Sequence, residues 1–370
     1  MKKFYPVSQP YLSVKEKKYV EKAVESTWIG SRGEFVDKFN KGFSKYCNRK
    51  YSVLTSNGTA AIELALLALD LKRGDEIIVP SFTYIASVNP IVRLGLKPVF
   101  VDIDSSLTMN PNDVYKKITN KTKAIILVPL YGHPVDYNKI LKIAKQNKIH
   151  TIEDAAEAHG SEYFHKKCGQ FADISTFSFF GNKIITTGEG GICLTDDKKL
   201  FEKMSVICNQ GNSPTEKYVH DMIGFNYRMT NVQAAIGLAQ LEKINTILKK
   251  RQKICDYYIN QLQDLANDKK LFFQEVKPWA KLNNWFFSII LNKNIDRNDF
   301  IEKLLKNGID SRPFFTPVHK QKIYPKYNDV SLPVSEDISK RGLNLPTYPD
   351  LTKLDVKYIC DKIHDILRED

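Results

Sequence analysis

Between residues 50 and 152, short apolar runs rich in Val and Ile alternate with stretches of helical spacing, and this alternation constrains the fold more than any other feature. The runs at 51–55, 76–80, 98–103, 124–128 and 150–152 are bounded by turn residues, the pattern of strands covered on both faces. Between them the spacing predicts helices at 58–69, 85–94, 112–118 and 137–146. Repeated strand–helix alternation predicts a parallel, doubly wound α/β sheet. Beyond Gly191 the pattern changes. Long helices are expected at 198–208 and 231–265, followed by a strand at 285–291 and helices at 297–305 and 354–367. A boundary at the long helix divides the chain into a large α/β domain, 1–245, and a smaller C-terminal α+β domain, 246–370.

Composition removes several function classes. The 370 residues are 42% hydrophobic and 26% charged, as in ordinary globular chains. No aliphatic run approaches the roughly 20 residues that a membrane span needs, and no apolar segment follows Lys2 and Lys3 as in a secretory signal. A cytoplasmic protein without a membrane partner is expected. Six cysteines without a C-x-x-C pair read as reduced thiols, and seven dispersed histidines show no metal-ligand spacing, so no metal is expected. The net charge of +13 fits either an anionic partner or lysine-rich solvated helix faces. The lysines are dispersed from Lys2 to Lys362, which favours solvated faces over a nucleic-acid arm.

Three segments carry chemistry. Ser56-Asn57-Gly58-Thr59 follows an expected strand and opens an expected helix. Such a start is either a phosphate site, through free N–H groups and the helix dipole, or a plain N-cap. Thr151-Ile152-Glu153-Asp154-Ala155-Ala156-Glu157 places acids at a strand's carboxyl end, where open α/β sheets bind ligands. An acid there holds a cationic ring nitrogen, or simply favours a helix N-terminus. The third segment, 177–191, places Lys183 in an otherwise uncharged aromatic and β-branched stretch ahead of a glycine-rich turn. Partial desolvation lowers an ammonium pKa and frees the amine for Schiff-base chemistry. A phosphate cradle, a strand-end acid and a desolvated lysine, in that order, suit pyridoxal 5′-phosphate.

At these motifs the chain resembles the nucleotide-sugar aminotransferases of the DegT/DnrJ type, which have the aspartate-aminotransferase-like pyridoxal phosphate fold type I. The resemblance runs nearly end to end. It rests on Ser56-Asn57-Gly58-Thr59, Pro80-Ser81-Phe82-Thr83-Tyr84, Glu153-Asp154-Ala155-Ala156, Gly188-Glu189-Gly190-Gly191 and Asn226-Tyr227-Arg228-Met229-Thr230-Asn231. Phe177-Ser178-Phe179-Phe180-Gly181-Asn182-Lys183 and Ser311-Arg312-Pro313-Phe314-Phe315 are most similar to members that aminate GDP-4-keto-6-deoxy-D-mannose.

The resemblance implies a large doubly wound mixed sheet with a smaller C-terminal α+β domain. It also implies roles for individual residues. Lys183 binds the cofactor aldehyde and moves the proton, and Asp154 pairs with the ring nitrogen. Asn57, Gly58, Thr59 and Ser178 surround the phosphate, and Tyr84 stacks on the ring. Glu157 stands where many relatives carry Gln against the ring hydroxyl, a substitution shared by the GDP-sugar members. Asn226 reaches the phosphate of a neighbouring subunit, making a homodimer with shared active sites. Arg312 and His319 face the sugar nucleotide. Relatives with His in place of the lysine perform dehydration, so Lys183 implies aminotransfer from L-glutamate to C4 of a nucleotide-linked 4-keto-6-deoxy sugar, for O-antigen or other surface polysaccharide. Alternatives are the same reaction on a UDP- or dTDP-linked sugar, or a non-catalytic regulator that binds the same ligands. A nicotinamide dehydrogenase is disfavoured because no G-x-G-x-x-G follows the first strand.

Overall fold

The computed structural model describes residues 3–369. Seven strands form the central sheet: β1 (Tyr51–Thr55), β2 (Glu76–Pro80), β3 (Lys97–Val101), β4 (Thr122–Leu127), β5 (His150–Asp154), β6 (Ile174–Ser178) and β7 (Gly191–Thr195). Their spatial order is β1-β7-β6-β5-β4-β2-β3. Neighbours from β3 across to β6 pair in parallel, while β7 runs antiparallel to both β1 and β6. The sheet is therefore mixed rather than wholly parallel. Its strands are buried almost throughout, which explains the uninterrupted Val/Ile runs.

Two helices precede the sheet, α1 (Val14–Glu25) and α2 (Glu34–Tyr46). Helix α3 (Gly58–Ala68) follows β1 and is apolar on nearly every face, because it lies buried beneath the sheet. The stretch expected as one helix at 85–94 is a 3₁₀ turn, Ile85–Ser87, followed by α4 (Asn89–Arg93) with Pro90 in its first turn. Then come α5 (Pro111–Lys116), α6 (Tyr137–Gln146) and α7 (Lys198–Cys208). The long helix expected from 231 divides into α8 (Asn231–Leu241) and α9 (Ile244–Asn267). A capping box formed by Thr230 and Gln233 starts α8.

A second sheet contains β8 (Leu271–Phe273), β9 (Phe287–Leu291), β10 (Arg312–Pro313) and β11 (Gly342–Leu345), in the order β8-β9-β11-β10. Helices α10 (Arg297–Lys306), α11 (Pro333–Arg341) and α12 (Lys353–Glu369) accompany it. The described residues form two hydrophobic cores. The larger reaches Ile247 of α9, and the smaller begins at Ile254 of the same helix. Tyr5 belongs to the small core, whereas Trp285, Phe314 and Val318 belong to the large one. Each core thus draws on both halves of the chain, and a division at 245/246 remains our proposal.

Candidate active site

The carboxyl ends of β1, β2, β5 and β6 converge on a cavity of about 660 Å³. Asn57, Gly58, Thr59 and Tyr84 line it from the first half of the sheet, and Asp154, Glu157, Ser178 and Lys183 from the second. Arg312 lines it from β10, so the expected residues largely meet at one place.

The floor is an anion cradle. Asn57 caps α3, its Oδ1 accepting from Ala60 N at 2.8 Å. The N–H groups of Gly58 and Thr59 in the first turn have no intrahelical acceptor and sit at the positive end of the helix dipole. A Cβ on Gly58 would lie 2.7 Å from Ser178 Cβ, so only glycine lets the helix start close onto β6. Gly191 has the same function on the other side, since a Cβ there would lie 2.5 Å from Asn57 O.

Above the cradle are two carboxyls and the lysine. Asp154 Oδ2 accepts from Ser87 Oγ at 2.6 Å, and Oδ1 accepts from Ala156 N at 3.3 Å. Ser87 Oγ also lies 3.0 Å from Thr83 Oγ1. Burial pushes the Asp154 carboxyl above its ordinary value, opposed by the Ser87 hydroxyl, the Ala156 N–H and the charge of Lys183. Glu157 Oε2 accepts from Tyr131 N at 3.0 Å, and its Oε1 faces Lys183 Nζ at 3.5 Å. Burial raises Glu157 too, against the pull of Lys183. Burial lowers the Lys183 amine, and the Glu157 and Asp154 charges only partly restore it. Desolvation thus moves all three groups towards their neutral forms, the condition in which a lysine is nucleophilic.

A phosphate cradle, a buried acid and a desolvated amine around one cavity fit pyridoxal phosphate by their donor chemistry. Lys183 matches the aldehyde, Asp154 the ring nitrogen, and the α3 start with Ser178 the phosphate. Tyr84 is 57% exposed at the rim, its ring 5.6 Å from that of Phe315. Three cations line the cavity, and two are paired: Lys183 with Glu157, and Arg93 with Glu63 at 3.4 Å. Arg312 has no carboxylate partner among the described residues.

Two expected residues lie elsewhere. His319 is corrected: it does not line the cavity but is completely buried in the 3₁₀ turn Val318–Lys320. Its Nδ1 lies 2.6 Å from Ser81 Oγ and its Nε2 3.1 Å from Glu336 Oε1. Both ring nitrogens are satisfied inside the protein, which draws the ring away from any ligand. Asn226 is exposed, outside its own chain's cavity, and bridges to Asn209. Sequence reasoning missed Ser87, Glu63, Tyr227 and Trp285. Ser87 was hidden in a stretch that reads as continuous helix, and Glu63 and Trp285 carry no local motif. Tyr227, which lies in the 226–231 motif, reaches the cavity beside Glu63, to which its hydroxyl donates at 2.9 Å.

This fold and site define a pyridoxal phosphate-dependent transaminase of fold type I. The chain belongs to the DegT/DnrJ/EryC1/StrS aminotransferase family, which matches residues 10–364. It is 45% identical over 368 residues to the GDP-perosamine synthase of Escherichia coli O157:H7, covering 98% of each chain. To the GDP-perosamine synthase of Vibrio cholerae it is 40% identical over 362 residues, covering 97% of this chain and 98% of the relative. Among solved structures it is similar to Helicobacter pylori PseC, an aminotransferase involved in the biosynthesis of pseudoaminic acid, with a TM-score of 0.92, 26% identity and all of both chains covered.

Proposed function

We propose that the chain transfers the amino group of L-glutamate to C4 of GDP-4-keto-6-deoxy-D-mannose, giving GDP-perosamine for O-antigen or other surface polysaccharide. The observation that carries this reading is Lys183, buried, paired with Glu157 and within the charge influence of Asp154, on a cavity floored by an anion cradle. The likeness to two GDP-perosamine synthases supplies the acceptor.

When bound, the cofactor supplies an electron sink for the carbanion at the donor's Cα. The chain's own groups do the rest. Lys183 Nζ takes the proton from that carbon as general base and later returns one as general acid. Asp154 would hold the ring nitrogen and Glu157 the ring hydroxyl. Gly58, Thr59 and Ser178 would hold the phosphate, with Asn57 shaping the turn. Among the described residues Arg312 is the cavity cation without a carboxylate partner, and we assign it to the diphosphate of the sugar nucleotide.

Asn226 is proposed to complete the phosphate site of a second copy, in a homodimer with shared active sites. Support comes from the excursion between the bridged residues Asn209 and Asn226, where Tyr218 is 96% and Ile223 88% exposed. Contiguous exposed apolar surface marks interfaces, and these two residues lie within six positions of each other in that excursion. The cytoplasm is the proposed compartment; all six cysteines are free thiols, and no helix among the described residues is long and apolar enough to cross a membrane.

The test is an amination assay over GDP-, UDP- and dTDP-linked 4-keto-6-deoxy sugars with glutamate as donor. Preference for the GDP sugar is expected. Preference for another nucleotide overturns the acceptor, and no turnover on any overturns the enzyme in favour of a binding protein.

A further inference from the structure

Trp285 comes from the C-terminal half of the chain, just ahead of β9, yet lines the cavity directly beside Lys183. Lys183 Nζ lies over the indole ring, 4.0 Å from its centroid. The indole Nε1–H donates to Asn182 O at 2.7 Å, the carbonyl of the residue immediately before the lysine. One side chain therefore touches both ends of Lys183, the amine through its ring face and the backbone through its N–H.

The tryptophan is itself held firmly. Its backbone N–H donates to Asn283 Oδ1 at 3.0 Å. Asn283 Nδ2 in turn donates to the carbonyls of Glu157 at 2.8 Å and His159 at 3.2 Å. Arg251 Nη1 donates to Trp285 O at 2.6 Å. The ring is stacked 6.3 Å from Tyr131, whose own N–H holds Glu157. Trp285 is 2% exposed.

We propose that Trp285 is a positioning residue for Lys183, carrying the free amine on its indole face and fixing the Asn182–Lys183 peptide through its N–H. This rests on reading Lys183 as the proton-moving amine. A four-carbon side chain released into a cavity has many rotamers, and proton transfer needs one of them. The indole face favours the ammonium by cation–π attraction, strongest for tryptophan and stronger in a desolvated site. It works with Glu157 against the burial that favours the neutral amine.

Two substitutions separate the contacts. Trp285→Phe keeps a ring face and removes the N–H; Trp285→Leu removes both. The first readout is competitive acetylation of the cofactor-free full-length chain against pH, with the Lys183 peptide followed by mass spectrometry. The apparent pKa of Lys183 should fall by about one unit in Trp285→Leu and stay close to wild type in Trp285→Phe. The second readout is the glutamate half-reaction of the loaded enzyme with protio and α-deuterated glutamate. Both variants should be slower, roughly tenfold or more, with a larger isotope effect and little change in the glutamate concentration dependence. An unmoved Lys183 titration in a folded Trp285→Leu, or a wild-type isotope effect in Trp285→Phe, overturns the assignment. Failure of the wild-type chain to bind pyridoxal phosphate would overturn the reading of Lys183 instead, and leaves the titration of the cofactor-free chain as a separate result.

Discussion

Ser87 Oγ donates to Asp154 Oδ2 at 2.6 Å, from a 3₁₀ turn that interrupts the expected helix. The bond favours the ionised carboxylate, which burial disfavours. Removing it with Ser87→Ala should raise the Asp154 pKa further. Because only ionised Asp154 can pair with a protonated ring, the acid limit of cofactor retention should move to higher pH. Affinity near neutrality should fall about tenfold, the scale of a hydrogen bond to a charged group. An acid limit identical to wild type in a visible-absorbance titration would remove Ser87 from this role.

Asp154→Asn should cost more in rate than in cofactor affinity. Its charge matters most when carbanion electrons enter the ring, an interaction stronger in the transition state than in the ground state. Equal losses in the two measurements would count against the assignment.

Arg312 lines the cavity without a carboxylate partner among the described residues, while Arg93 is engaged by Glu63. Arg312→Ala should raise the KM for the nucleotide sugar roughly ten- to a hundredfold, the loss of a charge-assisted contact. The glutamate half-reaction followed alone should be nearly unchanged. If both halves fail together, Arg312 serves the cofactor or the fold.

His159 is buried against the rings of Phe43, Phe177 and Phe179. Burial lowers it from 6.5 to about 3. Its folded pKa is below the unfolded one, so the unfolded chain binds more protons between these values and stability falls as pH drops below 6.5. By pH 5 this one group should cost about 2 kcal/mol. His133, lowered to about 4 by the same cause, adds to the acid sensitivity. His159→Leu should flatten the dependence of the urea midpoint on pH between 7 and 5; an unchanged slope would refute the account.

The exposed Tyr218 and Ile223 should lie at the interface between two copies. Ile223→Asp should shift sedimentation towards monomer and loosen the cofactor with it, if Asn226 completes the neighbouring phosphate site. An interface of this kind should bury more than roughly 2,000 Å². A fully active monomer at nanomolar concentration would rule out shared sites.

The sequence was legible where short-range pattern and burial coincide. Strands β1 and β2 and helix α7 fall at their expected bounds, because apolar runs or amphipathic spacing end abruptly at turn residues. Lys183, Asp154 and Gly58 stood out because their local settings, an uncharged stretch, a strand end and a helix start, mark them in the sequence even though their partners lie far away. The unread parts depend on distant partners without such a mark. Strand β6, Ile174–Ser178, carries Ser175, Thr176 and Ser178, which read as polar until the sheet buries every residue. His319 was expected near the sugar, and its burial is set by Ser81 and Glu336, 238 and 17 residues away. Trp285 meets Lys183 because it packs into the large core although it comes from the C-terminal part of the chain.

The central claim, that Lys183 moves the amino group through the bound cofactor, is tested most directly by visible absorbance of the pyridoxal phosphate-loaded protein. Glutamate should abolish the lysine-bound band, and GDP-4-keto-6-deoxy-D-mannose should restore it. Lys183→Ala should retain cofactor noncovalently through Gly58, Thr59, Ser178 and Asp154, yet show neither change. A Lys183→Ala variant that cycles at a rate near wild type, or a wild-type band indifferent to glutamate, would contradict the account.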